Sequence, residues 1–335
     1  MPTPDPPPYT ITPAILSLVA EVAGEVGRLH ALAGTITTPQ LRRKSRIRTV
    51  HASLEIENNT LSIDQVTAVL DGKRVLGAPA EVQEVRNAFA AYEAMPSWNP
   101  TSAKDLLAAH KLMLHGLADD AGKFRRGSVG IARGKQVVHL APPAGRVPGL
   151  VKNLLAWLKR TDAHPLVAGS IFHYEIEFIH PFADGNGRMG RLWQSLVLSR
   201  WQSLFAWLPV ETVIRDRQAA YYEVLGACDK AGNSTAFIEF MLFSLATALR
   251  EAGTDQVSDQ VNDQVAALLR ALGDKTLSAA ECMKRLKMSH RPTFRTNYLH
   301  PAMHAGLVEM TIPEKPNSRL QKYRATIAGA AALRS

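Results

Sequence analysis

The chain has 335 residues, 46% hydrophobic and 21% charged, with a formal net charge of +9, which leaves room for two or three domains of ordinary globular composition. Aromatic content of 7% argues against an RNA-stacking surface, and two distant cysteines, Cys228 and Cys282, argue for a reducing compartment and against a zinc ribbon. The proline-rich start MPTPDPPPYT lacks a signal pattern, and the most apolar window, FIEFMLFSLATAL, is too short for a membrane span and carries Glu239, so the expectation is a cytoplasmic protein without membrane contact.

After a loosely packed lead-in, apolar residues at Ile15, Leu18, Val19, Val22 and Val26 predict a helix. Ile47, Val50 and Leu54 predict another over roughly 40–57, stopped by Asn58 and Asn59. Ser62 and Gln65 have capping-box spacing at the start of a third, with Gly72 as its stop, and Ser102 and Asp105 have the same spacing further on. The period then changes: SVGIA and QVVHLA flank RGK and read as a β-hairpin. Helical runs follow in RVPGLVKNLLAWLKR and in HPLVAGSIFHYEIEFIH, the second ending at His180 because Pro181 restricts it. A buried helix begins near Gly187, and two more lie near 212–230 and 234–251.

The repeat TDQVSDQVNDQV is polar and biased, hence a hinge feeding a helix. Beyond it a different unit begins, with two helix-like stretches and then two strand-like runs around a Pro/Asn/Ser turn, in winged-helix order. From Thr276 to Ser335 there are ten Lys/Arg against three Asp/Glu, so the basic excess concentrates here.

The run HPFADGNGRMGR, His180 to Arg191, carries the chemistry. Gly185 and Gly187 let the backbone turn and approach a ligand closely. The helix that follows offers unpaired N–H groups and the positive end of its dipole. Arg188 and Arg191, three apart, share a face and suit a polyphosphate. Asp184 supplies an oxygen for Mg²⁺, and His180 can take a proton from an attacking hydroxyl. An anion cradle, a metal ligand and a base together point to nucleotidyl or phosphoryl transfer. GxxxxGK[ST] and the protein-kinase motif set are both missing from the sequence.

These residues resemble the Fic motif HPFx[D/E]GNGRxxR at every defined position, and the resemblance extends over roughly 40–251. It implies a mainly α fold: a Fic helical core with a β-hairpin flap, to which the element order adds a C-terminal winged-helix (α+β) domain. It also implies AMP transfer from ATP to a Ser, Thr or Tyr hydroxyl of a target protein or of the chain itself. In that reading His180 is the general base and Asp184 binds Mg²⁺. Gly185, Asn186 and Gly187 line the phosphate pocket, and Arg188 and Arg191 hold the β- and γ-phosphates. Tyr221 and Tyr222 fall where relatives contact adenine. The hairpin near 129–140 would align the target segment by strand pairing. Gly187, where kinase-like relatives carry lysine, favours AMP transfer.

SLEIEN resembles the family's inhibitory motif [S/T]xxxE[G/N], at Ser53, Glu57 and Asn58. Ser53 and Glu57, four apart, share a helix face, and a glutamate delivered to Arg191 would take the arginine that the γ-phosphate needs. The expected domains are an N-terminal region over 1–98 with the inhibitory helix, a catalytic core over 99–252, a linker over 253–267 and a winged-helix-like domain over 268–335. A homodimer is in keeping with relatives. Two other readings stay open: AMP removal by the same site, and a winged-helix DNA-binding regulator whose Fic core senses nucleotide.

Overall fold

The computed structural model describes residues 6–33, 39–133, 136–259, 263–316 and 318–332. It divides into two compact units, Met1–Leu249 and Arg250–Ser335. The first is built from helices α1 (Pro13–Ala33), α2 (Pro39–Ile56), α3 (Ile63–Leu70), α4 (Pro79–Ala94) and α5 (Ala103–Met113), then hairpin strands β1 (Gly130–Arg133) and β2 (Gln136–Leu140). Helices α6 (Val147–Arg160), α7 (Pro165–Ile179), α8 (Asn186–Trp201), α9 (Val210–Asp216) and α10 (Gln218–Ala231) follow, then the part of α11 (Thr235–Asp259) up to Leu249.

Helices α7 and α8 form the centre. From Leu166 to Tyr174 every residue of α7 is buried, as is every residue of α8 from Arg188 to Leu198. Helices covered all round belong in an interior. Phe172, Ile176, Leu192, Trp193 and Leu196 pack with Val50 and Leu54 of α2, Val85 and Tyr92 of α4, Leu106 of α5 and Leu154 of α6. The loop 180–185 is therefore held between two immobilised helices.

Local chemistry sets several boundaries. Ser62 and Gln65 form the full capping box expected of them. Ser102 accepts from the Asp105 amide at 3.2 Å, but the Asp105 carboxylate takes the Asn99 amide instead, at 2.8 Å. This second box is therefore only half made. The helix expected over 212–230 is two, α9 and α10, divided at Arg217. The stretch expected as linker over 253–267 is helical up to Asp259 and again from Asp263; residues 260–262 lie outside the described residues. In the hairpin, Arg133 pairs with Gln136; residues 134 and 135 lie outside the described residues. No helix among the described residues is long and apolar enough to cross a membrane.

The second unit contains α12 (Asp263–Leu272), α13 (Ala279–Arg285) and a helical segment of α14 (Arg291–Phe294), a π turn (Arg295–Leu299) and α15 (His300–His304). Strands β3 (Val308–Met310) and β4 (Tyr323–Ala325) pair antiparallel, Leu277 bridges to Tyr323, and α16 (Ile327–Ala332) closes the unit. Leu268, Leu272, Phe294, Leu299, Leu307 and Tyr323 make its separate core.

His173 is part of the α7–α8 core rather than a metal ligand. Its Nδ1 lies 2.7 Å from Gln194 Oε1 and its Nε2 lies 3.0 Å from the Tyr221 hydroxyl. Burial lowers its pKa to about 3. The folded chain thus keeps His173 neutral while the unfolded chain protonates it near pH 6.5. Its contribution is complete above about pH 6.5 and falls by roughly 1.4 kcal/mol per pH unit on the way down to the folded value. Denaturant titrations across that range are expected to show a pH slope that His173→Gln lowers by about one proton.

Candidate active site

Helix α2 ends in a way that explains the last letter of SLEIEN. The Asn58 amide donates to the Glu55 carbonyl at 3.0 Å and the Asn59 amide to the Leu54 carbonyl at 3.0 Å. That pair of bonds is a Schellman stop, which needs a left-handed residue. Asn58 fills that place with φ 68°. Glu57 is then the helix's final half-turn, on the same side as Ser53.

Arg191 of α8 lies against that side and is 2% exposed. Its Nε donates to Ser53 Oγ at 3.1 Å, and its Nη2 to the Ser53 carbonyl at 3.0 Å and to Glu57 Oε1 at 2.7 Å. Burial opposes the charge on Arg191, but Glu57, with Tyr221 and Glu177, outweighs it and raises the pKa. Glu57 Oε1 also sits in the space that a Cβ on Gly187 would enter, with Arg191 Nη1 3.0 Å and Glu177 Oε1 3.2 Å from the same point. Position 187 has no room for a side chain, and the start of α8 has a carboxylate beside it.

Arg188 is also buried. Its Nη1 donates to Glu84 Oε1 at 3.1 Å and its Nη2 to Asp184 Oδ2 at 2.9 Å, while its Nε has no partner among the described residues. Glu84 in turn accepts from Asn59 Nδ2 at 2.8 Å, which ties the turn after Glu57 to Arg188.

The 180–185 loop is braced from every direction. His180 adopts φ 49°, a left-handed conformation rare for a non-glycine residue. Its Nδ1–H donates to the Glu177 carbonyl at 3.3 Å, which leaves Nε2 as the lone-pair nitrogen. Arg125, 4% exposed, donates to the carbonyls of His180 at 2.6 Å, Ile179 at 3.3 Å, Gly127 at 2.8 Å and Pro142 at 2.6 Å. His110 stacks on Phe182 with ring centroids 3.7 Å apart. Its Nδ1 accepts from the Gly122 amide at 2.8 Å, so its Nε2–H donates to the Asp184 carbonyl at 3.0 Å. Burial lowers the His110 pKa and keeps that tautomer neutral. The Asn186 amide both accepts from Phe182 N and donates to Phe182 O at 2.9 Å. Its side chain holds the turn instead of reaching outward, so any phosphate contact from this residue falls to its backbone. Gly185, φ 80°, caps the helix.

Two tyrosines expected at adenine separate. Tyr221 is 1% exposed, with its hydroxyl 3.2 Å from Glu177 Oε1 and its ring among His173, Phe237 and Phe240. It packs as a core residue, with its hydroxyl and ring taken by protein groups. Tyr222 is 39% exposed and donates to the Ile56 carbonyl at 3.3 Å. The same carbonyl accepts from Gln218 Nε2 at 2.9 Å, and Arg215 Nη1 reaches Glu55 Oε2 at 3.1 Å. Helices α9 and α10 thus clasp the end of α2.

The donor set suits Mg²⁺. Asp184 has an exposed carboxylate that accepts from the Gly185 amide at 2.6 Å. No group of three or more His, Cys, Asp or Glu among the described residues could cage a metal. A single carboxylate that leaves the remaining ligands to phosphates and water is the pattern of a nucleotide-bound Mg²⁺ site.

Sequence reasoning missed Arg125, His110, Glu84, Arg215 and Gln218. None belongs to a spaced motif; each is brought in by a different helix or loop.

The Fic/DOC family model matches residues 100–198, and that of the Filamentation induced by cAMP protein Fic-like, C-terminal domain, matches residues 263–326. A solved Fic family protein from Desulfovibrio desulfuricans G20 is 60% identical, over 96% of this chain and 99% of that one, with a TM-score of 0.74. Fic-1 from C. elegans (aa134 - 508) shares the fold at 23% identity and a TM-score of 0.59, over 72% of this chain and 74% of that one. Among curated relatives, Protein adenylyltransferase Fic of Aedes aegypti is 27% identical over 211 residues, 59% of this chain and 40% of its own length. That of Culex quinquefasciatus is 27% identical over 225 residues, 64% and 42%. The chain spans about two fifths of the length of these curated relatives. With a relative of 60% identity along nearly its whole length, and with the HPFADGNGRMGR loop built as described, the chain belongs to the Fic family.

Proposed function

We propose that the chain is an ATP- and Mg²⁺-dependent protein adenylyltransferase held in check by its own Glu57. One observation carries this reading: the Glu57 carboxylate occupies an anion position, 2.7 Å from Arg191 Nη2 and against Gly187 at the start of α8. A helix N-terminus flanked by two buried arginines is a site for phosphates, and here an internal anion fills it. The curated relatives, each named Protein adenylyltransferase Fic, support the same chemistry.

In the proposed reaction the hydroxyl oxygen of a target Ser, Thr or Tyr attacks the α-phosphorus of ATP. The bond from that phosphorus to the bridging oxygen breaks, and pyrophosphate leaves. His180 Nε2 takes the hydroxyl proton. Arg188 and Arg191 bind the β- and γ-phosphate oxygens, and the unpartnered Arg188 Nε adds donor capacity there. Asp184 would hold Mg²⁺, which when bound neutralises charge on the polyphosphate. With Glu57 on Arg191 the γ-phosphate loses its partner, and the chain is misaligned for in-line attack.

Transfer of α-labelled AMP from ATP with Mg²⁺ tests the reading. Glu57→Gly is expected to label itself or a target more than wild type does, and Glu57→Gly/His180→Ala to lose the gain by about 10²–10⁴-fold. Label retained in the double variant would refute the role of His180. AMP released by wild type from a labelled target would instead assign the reverse reaction.

Thermal melting gives a second expectation. Glu57→Gly leaves a buried guanidinium without its anion, so it should melt below wild type in the absence of nucleotide. Saturating ATP should raise its melting temperature more than that of wild type, because only the variant offers an open arginine. A smaller rise in the variant would sink the competition between Glu57 and phosphate.

The clasp on α2 predicts a third outcome. Gln218→Ala/Arg215→Ala should loosen the end of α2, seen as faster amide exchange at residues 53–58, and should raise AMP transfer part of the way to the Glu57→Gly level. Faster exchange with no change in transfer would separate the clasp from control of the site.

A further inference from the structure

We infer that the second unit is a sequence-selective duplex-DNA reader, in which the helical segment Arg291–His304 enters the major groove and the turn between β3 and β4 lies along the backbone. The element order supports this: α12, the Leu277 bridge, α13, the segment 291–304, β3, a long turn and β4. Phe294, Leu299 and Ala302 bury one side of the segment in the unit's own core. The side left to solvent holds Arg291, Thr296, His300 and His304. No large exposed apolar side chain lies on this segment, and in the turn between the strands Leu320 stands singly between Arg319 and Lys322. A protein-docking face is built around an apolar or aromatic centre; a groove-reading face is built from hydrogen-bonding groups flanked by cations.

Cations flank it on both sides. Lys284 and Lys287 are exposed before the segment, and Lys315, Arg319 and Lys322 are exposed in the turn between the strands. Lys284, Lys287, Arg291, Lys315 and Arg319 enter no salt bridge among the described residues, whereas Arg324 is paired with Glu309 at 2.6 Å. Two backbone features mark the same surface. Lys287 stands at φ 54°, in the Schellman stop of α13, where its amide donates to the Lys284 carbonyl and that of Met288 to the Met283 carbonyl. That position favours glycine, and here it carries a cation into the turn before the segment. The π turn at Arg295–Leu299 re-aims the side chains in the middle of the segment, a distortion that concentrates at functional sites.

This inference is independent of the nucleotide site, and its test uses the full chain without ATP. Fluorescence anisotropy with a labelled mixed-sequence duplex, from about 50 to 200 mM salt, is expected to give a log–log slope of about −4 to −5 for five phosphate contacts. Lys315→Ala/Arg319→Ala should weaken binding to every sequence and reduce the slope by about 2. Selection from a random duplex pool should enrich a motif with wild type, and Thr296→Ala/His300→Ala should lose the motif while keeping the slope. Lys152→Ala/Lys159→Ala, a pair of exposed cations of the first unit, should change neither. All these side chains are on the surface, and unchanged melting temperatures check that the fold is kept. No duplex binding near 50 mM salt would overturn the inference. So would equal losses from the first-unit pair, or a pool that enriches no motif.

Discussion

A single buried guanidinium organises the first unit. Arg191 sits on a helix with no solvent-facing side at that point, so every N–H it carries must find a partner inside the molecule. Helix α2 provides three of them: one hydroxyl, one carbonyl and one carboxylate, all from Ser53 and Glu57. Three letters of SLEIEN follow from this. Ser and Glu must stand four apart to meet the same arginine, and the next residue must tolerate a left-handed stop so that Glu57 can leave the helix and reach it. Removing one partner from a buried pair typically costs about 3–5 kcal/mol. A ligand that displaces Glu57 must therefore supply an equivalent anion.

The loop that carries His180 depends on a different set of contacts. Its carbonyls at Ile179, His180 and Pro181 are all taken by Arg125, two through the guanidinium and one through the backbone amide. The Asp184 carbonyl is taken by His110, and the Phe182 amide and carbonyl by Asn186. Fixing the backbone in this way fixes where the His180 ring and the Asp184 carboxylate project before any substrate arrives. Donors and bases that need no reorganisation during reaction are worth most in such a site. The left-handed His180 belongs to the same frame: the strain is held by bonds on both sides of it.

Much of this was legible in the sequence, and the division is physical. The α7–loop–α8 unit was readable because its constraints are local: proline after the helix, glycines in the turn, arginines one turn apart. The capping box at Ser62 was readable for the same reason. Ser102 and Asp105 showed the same spacing, yet a carboxylate one methylene shorter than glutamate bonded Asn99 instead. Arg125 and His110 were not readable, since their partners lie 55 and 74 residues away and one buried arginine in FRRG looks like any surface cation. Tyr221 and Tyr222 are neighbours in sequence and their rings touch, with centroids 5.3 Å apart, and only packing tells which of them is core. The break at Arg217 and the run of α11 into the DQV repeats as far as Asp259 likewise left no clear signal to read.

Helix polarity gives the Glu57 arrangement its character. A carboxylate at the end of α2 lies at the negative pole of its own helix, which disfavours it. The same carboxylate lies beside Gly187, at the positive pole of α8, which favours it. The end of α2 is accordingly supported from outside. Gln218 and Tyr222 both donate to the Ile56 carbonyl, and Arg215 brings a cation to Glu55. None of these contacts is buried as Arg191 is; Arg215 and Glu55 are both partly open to solvent, where an ion pair contributes little. The strong interaction therefore holds the carboxylate on α8, and the weak ones hold the helix that delivers it. In the proposed role of Glu57, release would start at the weak end, where Arg215, Gln218 and Tyr222 hold α2.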